Sequence, residues 1–223
     1  SIFRLIFILK NIKPDIIFST LNHMNQAVVI AQYFAHQIRR KIILRENTST
    51  LNTFYNKSIM RSILAYSQKL TYKNKNVNYI ICQSSSMANH LVVNHNIDNK
   101  HIKIIHNPID HARITLEAKK DKIYPCSTNK IKLISVGRLE YVKGFDLLIN
   151  IIHKLNDTKY HLLIIGDGFQ KENLKLQVDR LKLNNSVSFL GFQDNPFSYM
   201  SQSDLMLVGS RYDSFPNTVL ESL

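Results

Sequence analysis

The sequence predicts an α/β fold built from two parallel-sheet halves, and three features predict it. Short runs of Ile, Val and Leu recur along the 223 residues. Each run precedes a segment whose apolar residues have helical spacing, the order that βαβ units produce. Glycine is confined to one half, because all six, from Gly137 to Gly209, lie beyond residue 136. Close approach of backbone to a ligand is therefore expected in the second half.

The opening segment, 1–12, is apolar without a break from Leu5 to Leu9 and is flanked by Arg4 and Lys10. Apolar residues on every face predict a core helix; a helix lying on a membrane is the alternative. Strands are expected at 15–19, 41–45, 78–83 and 102–106, then at 131–136, 161–165, 187–190 and 204–208. Each is a short aliphatic run between polar or turn residues. Helices are expected at 24–38, 55–74, 85–95, 145–156, 169–182 and 195–201. A last helix opens near Pro216, since proline suits a first helical turn. Pro108 closes the first set of units, and the polar stretch 119–130, interrupted by Pro125, reads as a linker or a lid. The expected organisation is a domain over 1–110, a linker over 111–130 and a domain over 131–223.

Composition bounds the function. With 44% hydrophobic and 20% charged residues the chain is globular. Neither Leu5–Leu9 nor Ala27–Ala31 approaches the roughly 20 apolar residues a bilayer helix needs. The chain opens on Ser1 with no small-residue cleavage pattern, so export is not expected. Cys82 and Cys126 belong to no CxxC and no Cys/His cluster, which predicts free thiols in a reducing compartment, the cytoplasm. The formal charge is +13, with 14 Lys+Arg against 4 Asp+Glu in 1–110 and 15 against 12 in 111–223. The basic excess of the first half suits an anionic acceptor or an anionic membrane surface. Nucleic acid is not an expected partner, because no basic stretch with interleaved aromatics and no recognition module occurs.

Four motifs carry the chemistry. At 134–146 a strand ends in Gly137-Arg138, and Lys143-Gly144 follows at a helix start. A guanidinium, an ammonium and a helix end together suit a diphosphate; two solvated cations at a sheet edge are the equal alternative. Gly166-Asp167-Gly168 superficially resembles a dinucleotide turn but has Lys171 where the third glycine belongs, so a plain tight turn is the better reading. Phe189-Leu190-Gly191-Phe192 offers a surface for a flat base, with core packing the commoner explanation. In Ser210-Arg211-Tyr212-Asp213-Ser214-Phe215-Pro216 the acid Asp213 sits in a loop and Glu221 lies over one turn into the next helix. These two carboxylates suit sugar hydroxyls in one cleft; taken alone, such acids are most often solvated. His23, read in the loop after the first strand, is a further acceptor-side candidate, with an ordinary polar histidine as the alternative.

In series, these four motifs resemble the nucleotide-binding domain of GT-B glycosyltransferases, above all the retaining group called family 4. Residues 13–110 resemble the rear of that family's acceptor domain, through Lys13-Pro14-Asp15, Arg45-Glu46-Asn47, 80–84 and 104–110. The resemblance implies two Rossmann-like parallel-sheet domains. It also implies transfer of a hexosyl or N-acetylhexosaminyl group from a nucleoside-diphosphate sugar, UDP-linked, to a hydroxyl of a surface or lipid-linked glycan such as lipopolysaccharide or capsule. By the same resemblance Arg138 and Lys143 would bind the diphosphate, Glu221 the ribose, and Asp213 the transferred sugar with backbone amides near Ser214 and Phe215. Gly137, Gly191 and Phe192 would complete the donor site. No cofactor is implied, and the absence of a D-x-D predicts no metal-held diphosphate. The sequence departs from the family at Asp213, where Glu is usual, and at Ser214, where Gly is usual. It also begins after the expected first strand and stops within the helix of Glu221, so both domains are expected to be incomplete. A non-catalytic remnant of such an enzyme is the competing reading.

Overall fold

The structure, a computed structural model, describes residues 1–35, 41–46, 59–120, 123–126, 129–213 and 216–222. It divides between Asn107 and Pro108 into two compact units. The first contains α1 (Ile2–Ile12), β1 (Ile16–Thr20), α2 (Asn22–Phe34), β2 (Lys41–Arg45), α3 (Ile59–Tyr72), β3 (Val77–Cys82), α4 (Ser85–His95) and β4 (Ile102–Ile104). Its strands pair in parallel in the order β1-β2-β3-β4. Ile17, Ile42, Leu44, Ile80 and Ile102 pack on one face against Val28, Ala31 and Leu91. The row Phe18, Ile43, Tyr79 points to the opposite, more open face, where Phe18 is 58% exposed.

α1 is not the all-round core helix that its composition predicts. Leu9 is buried and Leu5 and Ile6 pack on the core, but Phe3 and Phe7 are 79% and 65% exposed. An outer helix resting on α2 can bury only one stripe. His23 lies in the first turn of α2 rather than in a loop. Glu46, at the end of β2, is buried and accepts from Gln68 Nε2 at 3.2 Å. Burial, with Glu46 nearby, pushes the Cys82 thiol up to about 12, so this free cysteine stays protonated.

The second unit holds α5 (His111–Ala118), β5 (Ile131–Val136), α6 (Phe145–Leu155), β6 (Tyr160–Ile165), α7 (Lys171–Arg180), β7 (Val187–Gly191), α8 (Phe197–Met200), β8 (Leu205–Met206) and α9 (Asn217–Glu221). Its sheet is parallel throughout, in the order β7-β6-β5-β8. β6 is central and buried on both faces, as a run of aliphatics predicts. Leu162 and Ile164 meet Leu148, Ile149 and Val178 on one side; Leu163 and Ile165 meet Tyr124 and Tyr199 on the other.

α5 occupies the start of the expected linker. Asp110 caps it, accepting from the Arg113 amide at 3.0 Å. Its final carbonyls are satisfied by side chains about eighty residues on: Asn195 Nδ2 donates to Glu117 O at 2.9 Å and Ser201 Oγ to Ala118 O at 3.2 Å. The expected strand at 204–208 is shorter, Leu205 and Met206, flanked by backbone bonds to β5 from Asp204 N to Lys132 O at 2.8 Å and from Leu207 N to Ile134 O at 2.7 Å, while Asp204 Oδ2 takes the Lys132 amide at 2.7 Å.

His161, on β6, is buried with Nε2 3.0 Å from Ser188 Oγ, and burial lowers its pKa to about 4. The unfolded chain therefore binds the proton more readily than the folded one. Stability should be full above about pH 6.5 and fall as pH drops towards 4, with a slope of up to about 1.4 kcal/mol per unit for one proton. Urea unfolding across this range should show the slope, and His161→Phe should remove that part of it.

Candidate functional site

Because every strand of the second sheet runs the same way, the loops after β5, β6, β7 and β8 all leave from its C-terminal edge. Open α/β sheets bind ligands at this edge. The first two loops are laced together: the Gly137 amide donates to Ile165 O at 3.0 Å, Leu139 N to Asp167 O at 2.9 Å, and Gln170 N to Leu139 O at 2.9 Å. Gly166 is required here, since at φ +140° a Cβ would lie 1.9 Å from Gly137 O. Between these loops and the one after β7 is a cavity of about 360 Å³, lined by Val136, Gly137, Arg138, Gly166, Phe192 and Pro196. Phe192 is 70% exposed, so core packing does not account for it. Gly191, at φ +75°, faces open space.

Lys143 ends the turn Tyr141–Lys143 that leads into α6. Gly144 follows at φ +65°, and a Cβ there would lie 1.9 Å from Gly209 O, in the loop after β8. That contact brings the two loops together, and Lys143 Nζ lies 2.6 Å from Asp213 Oδ2 with both side chains mostly covered. Beside them Arg211 forks onto Asp146, Nη1 to Oδ1 at 2.7 Å and Nη2 to Oδ2 at 2.6 Å. This guanidinium holds the Asp146 carboxyl below the usual carboxylate range.

The expected site residues therefore fall into groups. Lys143 and Asp213 meet, and Gly137, Arg138 and Phe192 share a cavity. Arg138 pairs with Glu140 at 2.8 Å and is largely exposed. Glu221 lines a second cavity of about 230 Å³ with Asp110, Arg113, Asp194, Pro196 and Phe197, and neither Arg138 nor Lys143 borders it. The two cavities have Pro196 in common. The expected meeting of two cations with two acids is thus realised directly only as Lys143–Asp213. Ser214 and Phe215 lie outside the described residues. Gly166 and Asp167, read from sequence as a plain turn, line the cavity, and Arg211 and Asp146 carry no sequence signal beyond standing inside the motifs. Among the described residues no group of three or more His, Cys, Asp or Glu side chains is placed to hold a metal.

Gly144→Ala should cost at least about 2 kcal/mol, from left-handed strain plus the clash with Gly209 O. Urea unfolding reads this directly, and an unchanged midpoint would contradict the loop contact.

The family model described as Glycosyltransferase Family 4 matches residues 1–113, and the one described as Glycosyl transferases group 1 matches residues 117–223. A Campylobacter jejuni relative, N-acetylgalactosamine-N,N'-diacetylbacillosaminyl-diphospho-undecaprenol 4-alpha-N-acetylgalactosaminyltransferase, is 30% identical over 215 residues. That alignment covers 96% of this chain and 56% of the relative, so the chain spans just over half of its length. The O-antigen biosynthesis glycosyltransferase WclY of Escherichia coli is 42% identical over 88 residues, which are 40% of this chain and 24% of that protein. In fold, the crystal structure of Anabaena Alr3699/HepE in complex with UDP is similar with a TM-score of 0.77 at 18% identity, covering 99% of this chain and 60% of that one. The chain belongs to glycosyltransferase family 4, and its two parallel sheets are those of the GT-B fold.

Proposed function

We propose that the protein transfers a sugar, with retention, from a nucleoside-diphosphate sugar with uridine as the base to a hydroxyl of a surface or lipid-linked glycan. The observation that carries this is Lys143 Nζ held 2.6 Å from Asp213 Oδ2 at the C-terminal edge of a parallel sheet. The UDP in the similar Anabaena structure and the diphospho-undecaprenol in the Campylobacter relative's name support the donor and acceptor classes.

In this reading an acceptor oxygen forms the new bond to the anomeric carbon while the bond to the diphosphate breaks. The acceptor proton passes to the departing phosphate on the same face of the sugar. Charge develops on that phosphate, and its stabilisation is the main demand. Lys143 and the largely exposed Arg138 supply it, each cation interacting by about 4 kcal/mol at an effective dielectric of about 20, before desolvation. The diphosphate takes Lys143 from Asp213, which leaves that carboxylate to accept from sugar hydroxyls. Phe192 offers its face to the base, and Glu221, whose cavity shares Pro196 with the first, accepts from the ribose.

Calorimetric titration of the 223-residue chain with UDP tests the donor site. Lys143→Ala should weaken binding about 10- to 100-fold, the range of a charge-assisted hydrogen bond. Unchanged affinity would overturn the assignment.

The acceptor side adds a membrane surface. No helix of the described residues is long and apolar enough to cross a membrane. α1 instead presents Phe3, Phe7 and Ile12 to solvent near Arg4 and Lys10. Co-sedimentation with vesicles containing phosphatidylglycerol should exceed that with phosphatidylcholine alone and should fall in a Phe3→Ser, Phe7→Ser variant. Equal sedimentation of the variant would remove α1 from the contact.

A further inference from the structure

We propose that Arg211 is a positioning residue for the donor diphosphate, acting through Lys143 by locking the loop after β8 onto the turn that carries Lys143. The proposal rests on the donor-site reading of Lys143 given above.

Arg211 is committed to several protein partners. Its fork takes both oxygens of Asp146, in the first turn of α6, and Nη1 also donates to Tyr141 O at 2.8 Å. The guanidinium carbon sits 4.0 Å from the centroid of the Tyr141 ring, which covers one face. The Arg211 amide donates to Val142 O at 2.8 Å. Its side chain is 18% exposed, against 74% for Arg138, which also forms an ion pair but only at the surface. The hydrogen bonds of this guanidinium go to protein groups. What it does is join two loops that are remote in sequence.

The consequence falls on Lys143 and Asp213. Lys143 lies between Tyr141 and Asp146, both held by Arg211, and Asp213 stands two residues beyond Arg211 on the other loop. Lysine is a point charge on a flexible stem, so its placement depends on what fixes its backbone and its partner. The Gly144–Gly209 contact sets the spacing of the two loops, and the Arg211 amide on Val142 O joins their backbones. The bidentate fork adds a side-chain lock that holds the Asp146 end of the turn to the same loop. Asp146 and Arg211 thus act as one device, and neither needs to touch the ligand.

A double-mutant cycle tests this on the 223-residue chain, with UDP and UMP as titrants and thermal melting as a check on folding. Arg211→Gln should weaken UDP about tenfold and UMP less, and the loss should nearly vanish in a Lys143→Ala background, as expected of coupled residues. Arg211→Lys should recover little, since an ammonium cannot fork. Asp146→Asn should give a smaller loss with the same coupling, and it serves if Arg211→Gln does not fold. If Lys143→Ala weakens UDP while Arg211→Gln and Asp146→Asn do not, the positioning role is overturned and the donor site stands. If the Arg211 and Asp146 losses are equal in both backgrounds, the role through Lys143 is likewise overturned. If Lys143→Ala leaves UDP affinity unchanged, the donor site itself is wrong and the positioning role falls with it.

Discussion

The second unit depends on backbone meeting backbone at the C-terminal edge of its sheet. Gly166 against Gly137, and Gly144 against Gly209, leave no room for a Cβ. These approaches bring loops from three strands, β5, β6 and β8, into one layer, and that layer places Lys143 beside Asp213 and borders the cavity beside Arg138 and Phe192. A side chain at Gly144, Gly166 or Gly209 would separate the loops before it affected a ligand. The confinement of glycine to this half of the sequence has a mechanical explanation as well as the ligand-binding one.

Ion pairs at this edge differ in how many bonds hold them and in exposure, and the difference divides their work. Arg211–Asp146 is partly covered and multiply bonded, which suits it to hold shape. Lys143–Asp213 is mostly covered but makes a single contact, so another anion can compete for the ammonium. Arg138–Glu140 is at the surface, where such pairs contribute little and reorganise readily. Structural, exchangeable and surface-paired cations thus occur within one short stretch of sheet edge.

Much of the fold was legible because buried parallel strands are nearly pure aliphatic runs: Leu162 to Ile165 announces a central strand by composition alone. The departures have physical causes. α5 reads as linker because none of its residues is buried and its last carbonyls are capped by Asn195 and Ser201, partners that local sequence does not reveal. α1 reads as core because composition reports how apolar a segment is and not which stripe finds a neighbour; Phe3 and Phe7 stay largely exposed. At the site, the motifs marked Lys143 and Asp213 separately, and their contact spans 70 positions. Gly166, Asp167 and Pro196 join the cavity only through the order of strands in the sheet, and Arg211 lay within a motif without a role until its partner on α6 was seen.

The central claim is that this sheet edge holds a nucleoside diphosphate by drawing Lys143 away from Asp213. A crystal structure of the chain with UDP tests it most directly. The account predicts diphosphate oxygens at about 3 Å from Lys143 Nζ, the ion pair with Asp213 opened, and the base beside Phe192. UDP bound elsewhere, with Lys143 and Asp213 still paired, would contradict it.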